Sequence, residues 1–201
     1  MKLYYSPGAC SLAVHIVLCD IGKPFSLEKV DLATHKTADN WDYYRSNPKG
    51  YVPLLELDDG QKLTEVPVIC QYLCDEAGRT DLMPPHGDLL RYRVMEWQAF
   101  IGSEVHKTLG ALFNSALDEK AKATYAGMAH QRLLWISQQL HDRQFLTGDD
   151  FTAADAYLFT VTNWTGYLNM DISDCPDLQA FQGRVAGRPA VQAALKAEGL
   201  V

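Results

Sequence analysis

Cys10 follows a short apolar run, Leu3-Tyr4-Tyr5, and a turn, Ser6-Pro7-Gly8-Ala9. After it, Leu12, Ile16 and Cys19 recur at near-helical spacing, so a helix is expected to begin there. A thiol at a helix N-terminus meets unpaired backbone N–H groups and the positive end of the macrodipole. Both favour the thiolate, the nucleophilic form. Cys10 is therefore expected to act as a nucleophile or mixed-disulfide partner, with a buried inert cysteine as the plain alternative. Three residues before it stands Pro7, so there is no Cys-x-x-Cys pair and any redox cycle needs an external thiol. His106 lies one residue off an apolar stripe, where an imidazole could serve as acid or base near neutral pH or simply be an ordinary helical histidine. His15, five residues after Cys10, reads as a packed, hydrogen-bonded histidine.

Other residues suit the binding of a ligand. Val52-Pro53 could adopt a cis bond that turns the Val52 N–H and C=O outward, although the dipeptide alone favours trans. Glu65 precedes Val66-Pro67 at an expected helix start, where a carboxylate is favourable and backbone N–H groups can hold an anion. Cys70 and Cys74 sit among Val68, Ile69, Tyr72 and Leu73, and no Cys or His pair follows at zinc-like spacing. They read as small core residues, and no metal is expected.

The elements that must position these residues fall into two kinds. A strand at residues 2–5 leads to a helix near 10–21, closed by Gly22 and Pro24, and then to a strand at 26–30. Residues 37–46 suggest a short or irregular helix, and Asn47-Pro48-Lys49-Gly50 a turn. Two short strands, 53–57 and 61–64, flank Asp58-Asp59-Gly60, and a helix follows from about 65 to 77. The order β-α-β-α-β-β-α calls for a parallel crossover with an antiparallel hairpin at its edge. Residues 79–87, with Pro84-Pro85 and Gly87, read as a linker, giving domains at 1–78 and 88–201. Beyond the linker every segment reads as helix. Leu90, Val94, Trp97, Ile101, Val105, Leu109 and Leu112 form one long stripe. Further helices are expected at about 119–142, from 151 to 167, after Pro176 and after Pro189. Thr152 and Asp155 have capping-box spacing, with Phe151 as a staple, which marks Asp155 as structural.

Composition narrows the function classes. The chain of 201 residues, 47% hydrophobic and 21% charged, is ordinary for a water-soluble globular protein. A net charge of −7 argues against a nucleic-acid partner. No stretch nears the roughly 18 apolar residues of a membrane span, and no secretory signal is visible. The five scattered cysteines suit a reducing cytoplasm.

These blocks together resemble the bacterial beta class of the cytosolic glutathione transferases. Ser6-Pro7-Gly8-Ala9-Cys10-Ser11-Leu12 is similar to that class's start, where Cys replaces the Tyr or Ser of other classes. Asn47-Pro48-Lys49-Gly50-Tyr51-Val52-Pro53-Leu54-Leu55 resembles the glutathione-site loop that ends in a cis-proline. Leu63-Thr64-Glu65, with Ile69 and Tyr72-Leu73, resembles the γ-glutamyl-binding turn and helix. Ser103-Glu104-Val105-His106-Lys107 resembles the segment that brings a second-domain histidine to the cysteine. Residues 146–155 match the family's capping motif, and the similarity runs the whole length of the chain.

The resemblance implies a thioredoxin-like N-terminal domain with a mixed four-stranded sheet, followed by an all-α C-terminal domain. It implies a homodimer and glutathione as co-substrate, conjugated to small hydrophobic electrophiles. Cys10 and His106 would be catalytic. Val52, Pro53, Glu65, Val66, Ser103 and Lys107 would help bind glutathione, with His35 or Lys36 meeting its glycyl carboxylate. Tyr5, Phe113, Trp164 and Tyr167 are candidates for the electrophile pocket, and Ser11 and Tyr5 are alternative hydroxyl donors to sulfur. Two rival readings follow from the same residues. One is a thiol–disulfide reductase or reductive dehalogenase using Cys10 covalently, and the other a non-catalytic ligand-binding protein. Val66 departs from the family pattern, which has a small or hydroxylated residue there. The expected consequence is one lost side-chain hydrogen bond, about 1 kcal/mol.

Overall fold

In the computed structural model, which describes residues 1–201, β1 (Lys2–Tyr5) is the central strand of the only sheet. Its position explains its sequence: Leu3, Tyr4 and Tyr5 are all buried, so no polar residue alternates with them. On one side β2 (Ser26–Asp31) runs parallel, and on the other β4 (Leu54–Glu56) runs antiparallel. The edges are β3 (Lys36–Thr37) and β5 (Lys62–Thr64), giving the order β3-β2-β1-β4-β5. The sheet thus has five strands, where four were expected. The extra one is a two-residue strand that returns against Val30 and Asp31. It is too short to show a period-2 pattern. Residues expected to form an irregular helix therefore become β3, a loop and a 3-10 turn at Tyr43–Arg45.

Two compact units are present, one of Met1–Thr80 with Arg188–Val201 and one of Asp81–Gly187. In the first, α1 (Ser11–Ile21) provides the parallel crossover, and Ser11 through Leu18 are all buried. Its cover comes from α2 (Val66–Ala77) and from α9 (Pro189–Glu198). Pro189 and α9, expected with the helical part, pack here. Asp20 anchors that return through Arg188 at 3.1 Å and also pairs with Arg79, just past α2, at 2.7 Å. Cys70 and Cys74 are core, as expected.

The second unit is helical. It contains α3 (Leu89–Phe100), α4 (His106–Ala111), α5 (Glu119–Gln139), α6 (Ala153–Thr162), α7 (Trp164–Tyr167) and α8 (Pro176–Ala186). The expected long first helix is interrupted by a π turn at Ile101–Val105. There the His106 N–H donates to Ile101 O, one residue further back than in an α-turn. The segment from 151 to 167 likewise breaks, at Asn163, into α6 and α7. Asp155 has the structural role expected of it. It accepts from the Thr152 N–H and hydroxyl and from the Leu146 N–H, each at 2.8 Å. Burial still pushes its carboxyl up to about 6 against those bonds. No helix is long and apolar enough to cross a membrane.

Candidate active site

Cys10 is the N-cap residue of α1, one position ahead of the first helical residue. The turn before it closes with Ala9 N–H to Ser6 O at 3.0 Å, and Gly8 takes φ +71°. Gly8 N–H donates to Glu198 Oε2 at 2.9 Å, while Glu198 Oε1 lies 2.8 Å from His15 Nδ1. His15 and Glu198 are both buried, so the last turn of α9 holds the cysteine loop from beneath. Ser11, one of the alternative donors, is committed to that loop. It accepts from Ser6 N–H at 3.2 Å and donates to Ser6 O at 3.3 Å. Tyr5 is buried, with its ring centroid 6.2 Å from that of His15.

The Cys10 thiol, half-buried, donates to Val52 O at 3.2 Å. The Val52–Pro53 bond is cis. Tyr43, which the sequence did not single out, and Asn47, read there only as part of the turn and loop, set this edge. The Tyr43 hydroxyl and Asn47 Nδ2 both donate to Tyr51 O, at 2.8 and 2.7 Å. Burial, the largest cause, pushes the Tyr43 phenol up to about 12, so it remains a donor at ordinary pH. His35 Nδ1 lies 3.2 Å from Gly50 O, and its ring leans on Tyr44 with centroids 4.5 Å apart and planes tilted by 33°. Gly50 is required there, because φ is +73° and a Cβ would come within 2.7 Å of the Tyr44 ring. Lys36 stands exposed on β3.

The β4–β5 register pairs Leu54 with Thr64, so Pro53 and Glu65 leave the sheet together at its end. Glu65 has φ +72°, uncommon for a residue with a side chain. Lys49, read in the sequence only as part of the turn and loop, donates to Glu65 Oε1 at 2.8 Å and to Thr64 Oγ1 at 2.9 Å. Val66 opens α2, where early N–H groups have no helical partner. Its side chain is buried, so the missing hydroxyl is replaced by core packing.

In the second unit His106 is the first residue of α4, immediately after the π turn. Its Nδ1 lies 2.7 Å from the Tyr157 hydroxyl, and its ring meets Trp164 edge-on at 5.0 Å. Gly102 lies against the same hydroxyl, since a Cβ there would sit 3.5 Å from it. Thr108 ties the turn by donating to Glu104 O at 2.6 Å. Trp164 also meets Phe113 at 5.8 Å. His106, Trp164 and Phe113 thus form one cluster. Tyr167 is exposed on α7, and Ser103 and Lys107 are exposed beside His106. Tyr157 was missed because it reads as one more aromatic on an apolar helix. Its only signal is the hydroxyl, which a buried tyrosine must satisfy.

Two family models match the chain. The Glutathione S-transferase N-terminal domain covers residues 8–76, and the Glutathione S-transferase C-terminal domain covers residues 103–198. Among curated relatives, glutathione S-transferase GstA of Escherichia coli O157:H7 is 43% identical, with 100% of each chain covered. A sphingomonad glutathione S-transferase complexed with glutathione superposes with TM-score 0.95 at 44% identity, covering 100% of both chains. A bacterial beta-class glutathione S-transferase from Sphingomonas chungbukensis gives TM-score 0.96, again at 44% identity and 100% of both chains.

Proposed function

The chain belongs to the glutathione S-transferase family, and from that premise we propose that it conjugates glutathione to small hydrophobic electrophiles. The observation that carries this reading is the 3.2 Å contact from the Cys10 thiol to the Val52 carbonyl. It joins the helix-end sulfur to the loop edge that suits the pairing of a short peptide.

Glutathione is an anionic tripeptide thiol, and each of its parts has a counterpart. Its backbone pairs at Val52–Pro53. Its γ-glutamyl ammonium meets Glu65, and the adjacent carboxylate meets the Val66 N–H at the α2 N-terminus. His35 or Lys36 takes the glycyl carboxylate. Cys10 donates a hydrogen bond to the bound sulfur and favours its thiolate, which attacks the electrophilic carbon while the leaving group departs with its bonding pair. His106 serves as acid–base group to that sulfur, a role the family resemblance assigns and its fixed ring supports. Ser103 and Lys107 flank it, and Lys107 contributes positive potential. Phe113, Trp164, Tyr167 and Tyr5 provide apolar surface for the electrophile. A cytoplasmic location and a detoxifying role belong to the same reading, as does a homodimer. Light scattering tests the dimer and should give twice the chain mass.

Conjugation is favoured over covalent thiol transfer, reductive dehalogenation and non-catalytic binding because the relatives are transferases by name. Intact mass after incubation with oxidised glutathione tests how Cys10 works. A single reversible adduct, absent in Cys10→Ala, is expected. It forms when the Cys10 thiolate attacks the disulfide and one glutathione leaves as thiolate. Conjugation of a chloronitrobenzene by Cys10→Ala then measures whether the sulfur is needed beyond hydrogen bonding. If the wild type shows no glutathione affinity in the millimolar range, the transferase reading fails.

A further inference from the structure

Three side chains of the helical unit converge with donor atoms of three kinds. His130 lies on α5, and Asp174 and Cys175 form the turn into α8, with His130 and Asp174 44 residues apart in the chain. His130 Nε2 lies 3.1 Å from Asp174 Oδ1, and Cys175 Sγ donates to the same oxygen at 3.6 Å. All three donor atoms lie within 4.8 Å of one another.

We propose that His130, Asp174 and Cys175 form a zinc-binding site on the surface of the helical unit. Tetrahedral zinc, with bonds of about 2.1 Å to N and O and about 2.3 Å to S, sets N···O edges of about 3.4 Å and S···O edges of about 3.6 Å. The S···O separation of 3.6 Å already has this length, and the N···O separation of 3.1 Å needs to open only slightly. An imidazole, a thiolate and a carboxylate make a set that zinc accepts, whereas magnesium and calcium prefer oxygen alone. Cys175 is buried and forms the floor. His130 and Asp174, 37% and 52% exposed at their side chains, form an open rim. That arrangement gives a path of entry and leaves a fourth position for water. Asp171 adds negative charge within electrostatic reach of both His130 and Cys175.

The turn is braced, so its ligands need little reorganisation. Cys175 N–H and Gln179 Nε2 both donate to Ile172 O at 2.9 Å, and Ser173 N–H donates to Asp171 Oδ1 at 2.9 Å. Leu178 N–H donates to Ser137 Oγ at 3.3 Å, joining α8 to α5 beside the cluster. Binding replaces the Cys175 S–H bond by a sulfur–zinc bond and releases the proton to solvent. The sequence expectation of no metal rested on local spacing. Here the ligands meet only because α5 packs on α8.

Cobalt(II) titration, followed by displacement with zinc, tests the proposal. It is done in a Cys10→Ala background, so that the other helix-end sulfur contributes no signal. One cobalt per chain with a sulfur-to-metal charge-transfer band is expected, lost on adding one equivalent of zinc. His130→Ala and Asp174→Ala should each weaken binding at least about tenfold while the circular dichroism stays unchanged. Cys175→Ser should abolish the band, and if that variant does not fold, the two rim variants decide. An absent band, or wild-type affinity in either rim variant, overturns the proposal and leaves an ion pair resting on a thiol.

Discussion

Cys10 and Cys175 occupy the same backbone position in two different surroundings. Each is the N-cap residue of a helix, α1 or α8, and neither side chain caps its own helix. The helix dipole therefore acts on both. Cys10 is half-buried, and its thiol meets a neutral carbonyl, that of Val52. Cys175 is buried, and its thiol meets the carboxylate of Asp174. Burial first, then Asp174 and Asp171, push that thiol up to about 11. The rise is worth about 3 kcal/mol against the thiolate. A helix end supplies roughly 0.3–1 kcal/mol in the opposite sense. Position at a helix N-terminus thus decides nothing alone; the contents of the next few ångströms do.

The largest effect should come from removing what builds the surroundings of Cys10. Glu198 serves the cysteine loop through Gly8 and is itself paired with His15 inside the core. Glu198→Ala removes the buried partner of His15 and the carboxylate that accepts from the Gly8 N–H. The expected loss is about 2 kcal/mol, within the cost of leaving a buried polar group without its partner. The shift in urea midpoint at unchanged slope measures it. A loss under about 1 kcal/mol would mean that the loop holds its shape without α9.

The second test compares the two thiols directly. A thiol at about 11 is protonated throughout the neutral range, so at pH 8 only about one Cys175 in a thousand is thiolate. Iodoacetamide should label it at least about 100-fold more slowly than an ordinary thiol, while Cys10 keeps pace with one or exceeds it. Because the thiol is raised, the Cys175 rate should climb about tenfold per pH unit between pH 8 and 10. A plateau near pH 8.5 would instead show labelling through local opening, with the native carboxylates irrelevant.

What could be read before the fold follows the range of the interactions. Cys10, the cis-proline loop and the Thr152–Asp155 cap are contiguous motifs, and each lies where its segment indicated. The braces are long-range and were invisible. Glu198 reads as the last polar residue of an amphipathic helix, and Tyr157 as one aromatic among several. The π turn escaped because Ile101, Val105 and Leu109 keep an unbroken four-residue spacing through it, and all three are buried as an α-stripe would be. Strand β3 escaped because two residues carry no period. Residue types mark the reactive groups, and distant contacts decide how those groups behave.

Tyr157 gives a smaller, positional effect in the other unit. Its hydroxyl, 2.7 Å from His106 Nδ1, fixes which ring nitrogen faces away from it. Tyr157→Phe keeps the ring contacts and removes that bond. Conjugation kcat should fall about tenfold, a fraction of the 10²–10⁴ that general acid–base catalysis supplies. KM for glutathione should stay near wild type, and the pH–rate profile should move. A variant that loses stability but keeps both rate and profile would reduce Tyr157 to packing.

The smallest effect divides the causes acting on Cys175. Asp174→Asn keeps the shape of the turn and removes the nearest negative charge, while burial, the larger cause, persists. The thiol should fall only part of the way back from about 11, and its thiolate fraction at fixed pH should rise. Labelling at pH 8 should therefore speed up by roughly three- to tenfold and still lag an ordinary thiol. An unchanged rate would make burial alone responsible. A rate equal to that of Cys10 would mean that one carboxylate separates a reactive helix-end thiol from an inert one. Since Asp174 is also the central ligand of the proposed zinc site, the same substitution should free the thiol and weaken the metal together. A thiol that wakens while zinc affinity holds would remove Asp174 from the metal site and overturn that proposal.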